Sequence, residues 1–274
     1  MKINRDACSP RAMLTSIMGN RDLIWQLAKS EIIGRYRGSM LGIFWSFVIP
    51  LLMILVYTFV FSYIFKARWS GETGSKAEFS IFLFSGLTIY SLFSECVLKA
   101  PSLIISNVNY VKRVVFPLEI LVLVSLLSSL FHFGLSTAVL LLFYFVIHLN
   151  LHWTIVYLPL ILLPLILFTV GISWILASLG TYVRDVGQSV GILTTVLLFM
   201  SPIFYPASVL PQELRPYLFL NPLTFIIEQF RDILIFGNSP AWTRLGIYTL
   251  ICMSVATAGF YWFQKTRKGF ADVL

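Results

Sequence analysis

The chain has 274 residues, of which 58% are hydrophobic and 12% charged, and its mean hydropathy of +0.86 excludes a soluble domain of ordinary composition. The net charge of +8 would suit a nucleic-acid partner, but the basic residues stand beside the ends of apolar runs instead of forming one basic face, which argues against that class. Cys8, Cys96 and Cys252 show no paired spacing, so neither a disulfide framework nor a thiolate zinc site is expected.

The N-terminal stretch MKINRDACSPRAMLTSIMGNRD has basic residues but no apolar core or small-residue cleavage site after them. It is expected to stay in the mature chain instead of serving as a secretion signal. Arg21 to Arg37 (RDLIWQLAKSEIIGRYR) carries Leu23, Ile24, Trp25, Leu27, Ala28, Ile32 and Tyr36 on one side of a helical wheel. Gln26, Lys29, Ser30 and Arg37 fall on the other, with Glu31 and Arg35 intruding on the apolar side. This pattern predicts a helix lying in a membrane interface.

An uncharged run from Met40 to Phe65 follows directly on Arg35 and Arg37. It exceeds the roughly 20 residues that cross a hydrocarbon core, and Pro50 predicts a kink tolerated inside a helical bundle. Further spans are expected at Phe79–Leu98, Ile120–Ile147, Val156–Leu179, Gly187–Tyr205 and Leu245–Phe263. Between the last two, Tyr217 to Phe236 is strongly apolar but is interrupted by Asn221-Pro222 and carries Glu228, Arg231 and Asp232. Two short helices dipping back into the outer leaflet reconcile those features better than a seventh span.

Six spans put both termini on one side. The N-terminal segment, the loop with Lys99, Lys112 and Arg113, the loop with Arg184, and the tail with Lys265, Arg267 and Lys268 hold about 14 basic residues, against about six on the other side. The positive-inside rule then places both termini in the cytoplasm.

No G-x-x-x-x-G-K-[ST], H-E-x-x-H or CxxC occurs, and His132, His148 and His152 do not share one helix face as a ligand set. Glu95 and His132 are the ionisable residues inside apolar runs. Glu95 stands four residues before Lys99, the spacing of a helical ion pair. His132 lies among Ser125, Ser128, Ser129 and Ser136, which suits a neutral imidazole hydrogen-bonded within the bundle.

RYRGSMLGIFW (Arg35–Trp45), NVNYVKRVVFP (Asn107–Pro117), YVRD (Tyr182–Asp185), MSPIFYP (Met200–Pro206), LNPLTFIIEQFRD (Leu220–Asp232) and the C-terminal FADVL together resemble the permease subunits of type-2 ABC exporters that move polysaccharides. The likeness is strongest to the O-antigen and lipopolysaccharide exporters. It implies an all-α integral membrane protein with six transmembrane helices, an N-terminal interfacial helix and re-entrant external helices between spans five and six. It also implies one transmembrane domain over 1–274, with a cytoplasmic segment at 1–39, the bundle at 40–264 and a cytoplasmic tail at 265–274.

The implied assembly is a homodimer in the bacterial inner membrane, served by two copies of a cytoplasmic ATPase that binds ATP and magnesium, with no cofactor in this chain. The implied substrate is a glycan on undecaprenyl diphosphate. Carried over from the family, Asn107, Tyr110, Lys112, Arg113, Arg184 and Asp185 are expected to couple to the ATPase. Trp45, Phe61, Phe199, Phe204 and Tyr205 are expected to line the channel, where aromatic faces can stack on sugar C–H groups. Arg35 and Arg37 are expected to meet the lipid diphosphate, since a guanidinium matches phosphate bidentately. Capsular polysaccharide or teichoic acid is the alternative cargo, and an ion-coupled secondary transporter using Glu95 and His132 is the alternative of another class.

Overall fold

The computed structural model describes residues 10–64, 76–112, 116–209, 211–213, 215–218 and 221–274. The expectations for Cys8 and Arg113 lie outside these. The described residues are helical throughout, without strands, in the order α1 (Pro10–Gly19), α2 (Arg21–Arg35), α3 (Trp45–Tyr57), α4 (Lys76–Leu103), α5 (Val108–Val111), α6 (Ile120–His148), α7 (Leu158–Tyr182), α8 (Val186–Met200), α9 (Arg215–Leu218), α10 (Thr224–Arg231), α11 (Trp242–Thr266) and α12 (Phe270–Val273).

α2 is the expected amphipathic helix. Ile24 and Ala28 are buried while Trp25 is exposed, and the helix packs on α6. The chain then turns into the first span through Gly38 and Gly42, which have φ of 86° and 53°. Those left-handed positions explain why glycines stand in RYRGSMLG. α3 contains Pro50 and runs on as a π-helical stretch over Thr58–Ile64.

Among the described residues, five helical stretches are long and apolar enough to cross a membrane: Gly42–Phe61, Glu78–Leu103, Ile120–His148, Trp153–Tyr182 and Trp242–Val273. The span expected at Gly187–Tyr205 is shorter. Its helix, α8, has 15 residues, about 22 Å of rise against a hydrocarbon core of about 30 Å. The cause is local: Ser201 is extended, with ψ 149°, as suits a residue before proline, and Pro202 cannot donate the next helical hydrogen bond.

α4 is the central element, with 72% of its apolar window buried against 17% for the first span. It packs against α6, α7, α8 and α10. α7 and α11 form the most extensive pair, brought close at Gly171 and Gly259, where a Cβ on Gly259 would lie 2.2 Å from the Gly171 carbonyl oxygen.

The apolar segment after α8 forms short helices, as expected around Asn221-Pro222: α9 before the break, then α10 continuing as a π-helical turn over Asp232–Phe236. Ile226, Ile227, Phe230, Ile233 and Leu234 are all buried in the core. Asn221 fixes the break. Its Nδ2 donates to Ser201 Oγ at 2.8 Å and its Oδ1 accepts from Leu223 N at 2.9 Å.

Candidate functional site

Helices α1 and α2, the C-terminal turn and the two loops of interest meet at one end of the bundle among the described residues. α4 delivers the first loop: Asn107 Nδ2 donates to Leu103 O at 2.8 Å, and Tyr110 stacks on Phe116 with centroids 4.3 Å apart. Lys112 is exposed just beyond α5. α7 delivers the second loop, where Arg184 and Asp185 are exposed in the turn before α8. The loop roots touch, since a Cβ on Gly180 would sit 2.2 Å from Pro101 O. A cavity of about 370 Å³ opens between α2, the end of α4 and the first loop, lined by Glu31, Lys99, Asn107 and Tyr110 among others. Thus the expected coupling residues among the described ones share one end, and Asn107 and Tyr110 line one cleft.

Below that cleft, α2 is tied to the bundle by a charge network. Glu95 on α4 accepts a short bond from Arg35 and pairs with Lys99 at 3.3 Å, the helical ion pair expected from the spacing, while Lys99 also reaches Glu31 on α2 at 3.1 Å. His132 on α6 completes it, with Nδ1 3.0 Å from Arg35 Nη1 and Nε2 3.1 Å from Tyr36 Oη.

His132 Nδ1 also lies 3.5 Å from Glu95 Oε1, so this ring nitrogen sits between the guanidinium and the carboxylate while Nε2 faces the Tyr36 hydroxyl. The histidine is hydrogen-bonded within the bundle, but its partners are Arg35, Tyr36 and Glu95 and not the neighbouring serines. Two cations face two carboxylates here, a balanced set in a partly buried site, where an unpaired charge is costly.

The two arginines of the opening motif therefore differ. Arg35 is engaged by Glu95 and His132. Arg37 is exposed, with no side-chain partner among the described residues. Removing the carboxylate should loosen α2: Glu95→Gln leaves Arg35 without its carboxylate and Lys99 with Glu31 alone, and the Arg35→Gln, Glu95→Gln pair should recover part of the loss. Thermal unfolding of the four proteins checks this, with a coupling of about 0.5–3 kcal/mol expected for groups in contact and strict additivity contradicting it.

Four of the five expected channel aromatics come together. Phe61 lies 6.2 Å from Phe204, Phe204 stacks on Phe199 at 5.7 Å, and Tyr205 Oη donates to Phe199 O at 3.0 Å. Trp45 stands apart, at the other end of the first span, roughly 24 Å away along the helix. Phe199 is 62% exposed, so the cluster presents an open aromatic face beside the end of α8.

Two hubs had no forecast from sequence. Glu119, in the stretch that leads from the first loop into α6, is buried. It accepts from Ser16 Oγ at 2.8 Å and pairs with Arg267 at 2.8 Å, while Arg267 also donates to Phe116 O at 2.9 Å. At the opposite end, Arg231 is buried and donates to Pro202 O at 2.6 Å, Phe82 O at 2.8 Å and Ser85 Oγ at 3.2 Å. A glutamate directly before an apolar run and an arginine inside one were the available signals. Each reads equally as an ordinary span boundary or loop charge.

A family model described as "ABC-2 type transporter" matches residues 22–235. The O-antigen export system permease protein RfbA of Klebsiella pneumoniae is 27% identical over 92% of this chain and 95% of that protein. RfbA of Myxococcus xanthus is 28% identical over 92% and 95%. The polysialic acid transport protein KpsM of Escherichia coli is 25% identical over 87% and 90%.

Proposed function

Because the chain belongs to the ABC-2 type transporter family, we propose that it is the channel-forming permease subunit of an ATP-driven exporter of O-antigen polysaccharide, carried on undecaprenyl diphosphate. The observation that carries this is the likeness to O-antigen export permeases over nearly the whole length of both chains. In this reading ATP and magnesium are bound by a separate ATPase in two copies, and two copies of this chain enclose the channel in the bacterial inner membrane.

Topology follows from the charge asymmetry. The end where α2, both loops and the tail meet is cytoplasmic, and α8 with the turns after it makes the sixth crossing. α9, α10 and the π-helical turn dip into the outer leaflet. The coupling roles go to Asn107, Tyr110, Lys112, Arg113, Arg184 and Asp185.

The physical demands fit this reading. A hydrated glycan cannot enter hydrocarbon, since each stripped hydroxyl without a partner costs kcal/mol. The aromatic face of Phe61, Phe199, Phe204 and Tyr205 offers sugar C–H groups a surface without demanding one residue pattern. Trp45 serves the opposite mouth of the same conduit.

For the lipid diphosphate, Arg37 is the open guanidinium, while Arg35 would have to leave Glu95. Arg37→Gln should therefore raise the concentration of lipid-linked glycan needed to stimulate ATP hydrolysis about tenfold or more, with folding unchanged, the loss of one charge-assisted contact being worth about 1.5–3 kcal/mol. Equal stimulation in the variant removes the diphosphate role.

Capsular polysaccharide is the second reading, favoured by the likeness to KpsM at somewhat lower coverage. Cells lacking the chain test the function: they should retain lipid-linked O-antigen on the cytoplasmic side, inaccessible to an external lectin, and recover surface glycan when the chain is restored. Normal surface O-antigen with capsule lost instead selects the second reading, and normal export of both overturns the proposal.

A further inference from the structure

The C-terminal tail touches both cytoplasmic-end loops at once. Arg267 holds the stretch leaving the first loop, through the Glu119 carboxylate and the Phe116 carbonyl. One residue earlier, Thr266 O accepts from Tyr182 Oη at 2.8 Å, and Thr266 Oγ1 lies 2.7 Å from Ser178 Oγ, so the same turn holds the root of the second loop. Phe270 is fully buried, packed on Tyr182 and Phe263 with centroids 5.8 and 5.5 Å away. Gly269 allows the approach, because a Cβ there would lie 2.5 Å from Tyr182 Oη. The loop roots also meet directly at Gly180 and Pro101.

We propose that the tail is a strut that locks the two ATPase-facing loops into one rigid plate, with Arg267 and Phe270 as positioning residues for coupling. This rests on the exporter reading above. A single ATPase surface pushing on either loop then moves both, together with the starts of α6 and α8. Without the strut, the loops would be joined only at the Gly180–Pro101 contact, and ATP hydrolysis would be spent with less movement of the bundle. The ion pair and the buried ring act at different loops, so removing either should loosen one loop from the other.

The test has two arms. In the first, spin labels on cysteines at Ser106 and Gln188, one per loop and both exposed, report the distance between the loops in the purified full-length chain. A narrow distribution is expected in the parent and a broadened one in Arg267→Gln and in Phe270→Ala, with Arg267→Lys restoring most of the narrowness. Should Phe270→Ala fail to fold, Arg267→Gln still decides, since its pair is partly exposed. An unchanged width in Arg267→Gln overturns the strut.

In the second arm, the complex with its ATPase should keep hydrolysing ATP in Arg267→Gln while glycan moved per ATP falls about fivefold or more, the low end of a coupling between distinct sites. Broadened distances with transport per ATP unchanged overturn the positioning role. If no ATPase partner exists, the exporter reading fails, and the distance arm still reads the strut by itself.

Discussion

Replacing Arg231 by methionine should destabilise the end of the bundle where α10 packs on α4. The guanidinium is buried and donates to the carbonyls of Pro202 and Phe82 and to Ser85 Oγ, joining α10, α4 and the turn that ends α8. Pro202 follows the helix break, so its carbonyl lacks the helical partner it would otherwise have. Methionine fills similar volume but donates nothing. A buried acceptor left unpaired costs about 1–3 kcal/mol; Pro202 O loses its donor, whereas Phe82 O keeps Ser85 Oγ at 2.7 Å, so about 1–3 kcal/mol is expected, a sizeable part of the margin of many proteins.

Lysine should rescue only in part, because one ammonium cannot reproduce the fork that reaches three elements. Gly86 shows how closely the site is built: a Cβ there would lie 3.0 Å from Arg231 Nη2. Thermal unfolding in detergent and the yield of monodisperse protein check this. A methionine variant with parental unfolding temperature would mean that the α10 segment stands without the arginine.

The second large effect is expected at Gly259. An alanine there puts a Cβ 2.2 Å from Gly171 O and 2.8 Å from its carbonyl carbon. The obstacle is backbone, which cannot rotate aside. In a membrane bundle, association depends on van der Waals packing through small residues, so separating α7 from α11 costs their contact along the helices and withdraws Trp174, which meets Phe260 at 5.2 Å.

Gly259→Ala should lower the unfolding temperature clearly, and Gly259→Val should prevent accumulation of folded protein. Gly246, on the same helix with open space around its Cβ position, is the control, where alanine should be neutral or slightly stabilising. Equal behaviour of the Gly259 and Gly246 alanine variants would contradict the close approach.

How far these features were legible depends on what kind of signal carries them. Long uncharged runs and the wheel of α2 are periodic, local patterns, and the long apolar helices and the short helix ahead of them follow from them. α8 fell short because a hydropathy run does not register that Ser201-Pro202 ends a helix while the apolar residues continue to Tyr205. The pairing of Glu95 with Lys99 was readable at i,i+4, whereas Arg35 and Tyr36 reach Glu95 and His132 across about 60 and 96 residues, a tertiary choice that no local spacing encodes.

The same limit hid the Glu119–Arg267 pair, separated by 148 residues, and the burial of Arg231. Charges near span ends look alike in sequence, and only packing distinguishes a topology signal from a structural hub. Family likeness, by contrast, led to Asn107, Tyr110, Lys112, Arg184 and Asp185, and these collect at one end with the tail between them. Phe61, Phe199, Phe204 and Tyr205 also gather, while Trp45 does not, because position on the same span does not imply proximity.

The central claim is that this chain is the membrane half of an ATP-driven glycan exporter. The most direct measurement is purification of the tagged chain, expressed with its neighbouring genes, followed by ATPase assay of what comes down, with and without undecaprenyl-diphosphate-linked polysaccharide. The account predicts an ATPase subunit carrying a phosphate-binding Gly-Lys-Ser/Thr loop in equal amount, with turnover altered by the lipid-linked glycan. A chain that purifies alone and moves glycan without ATP would contradict it.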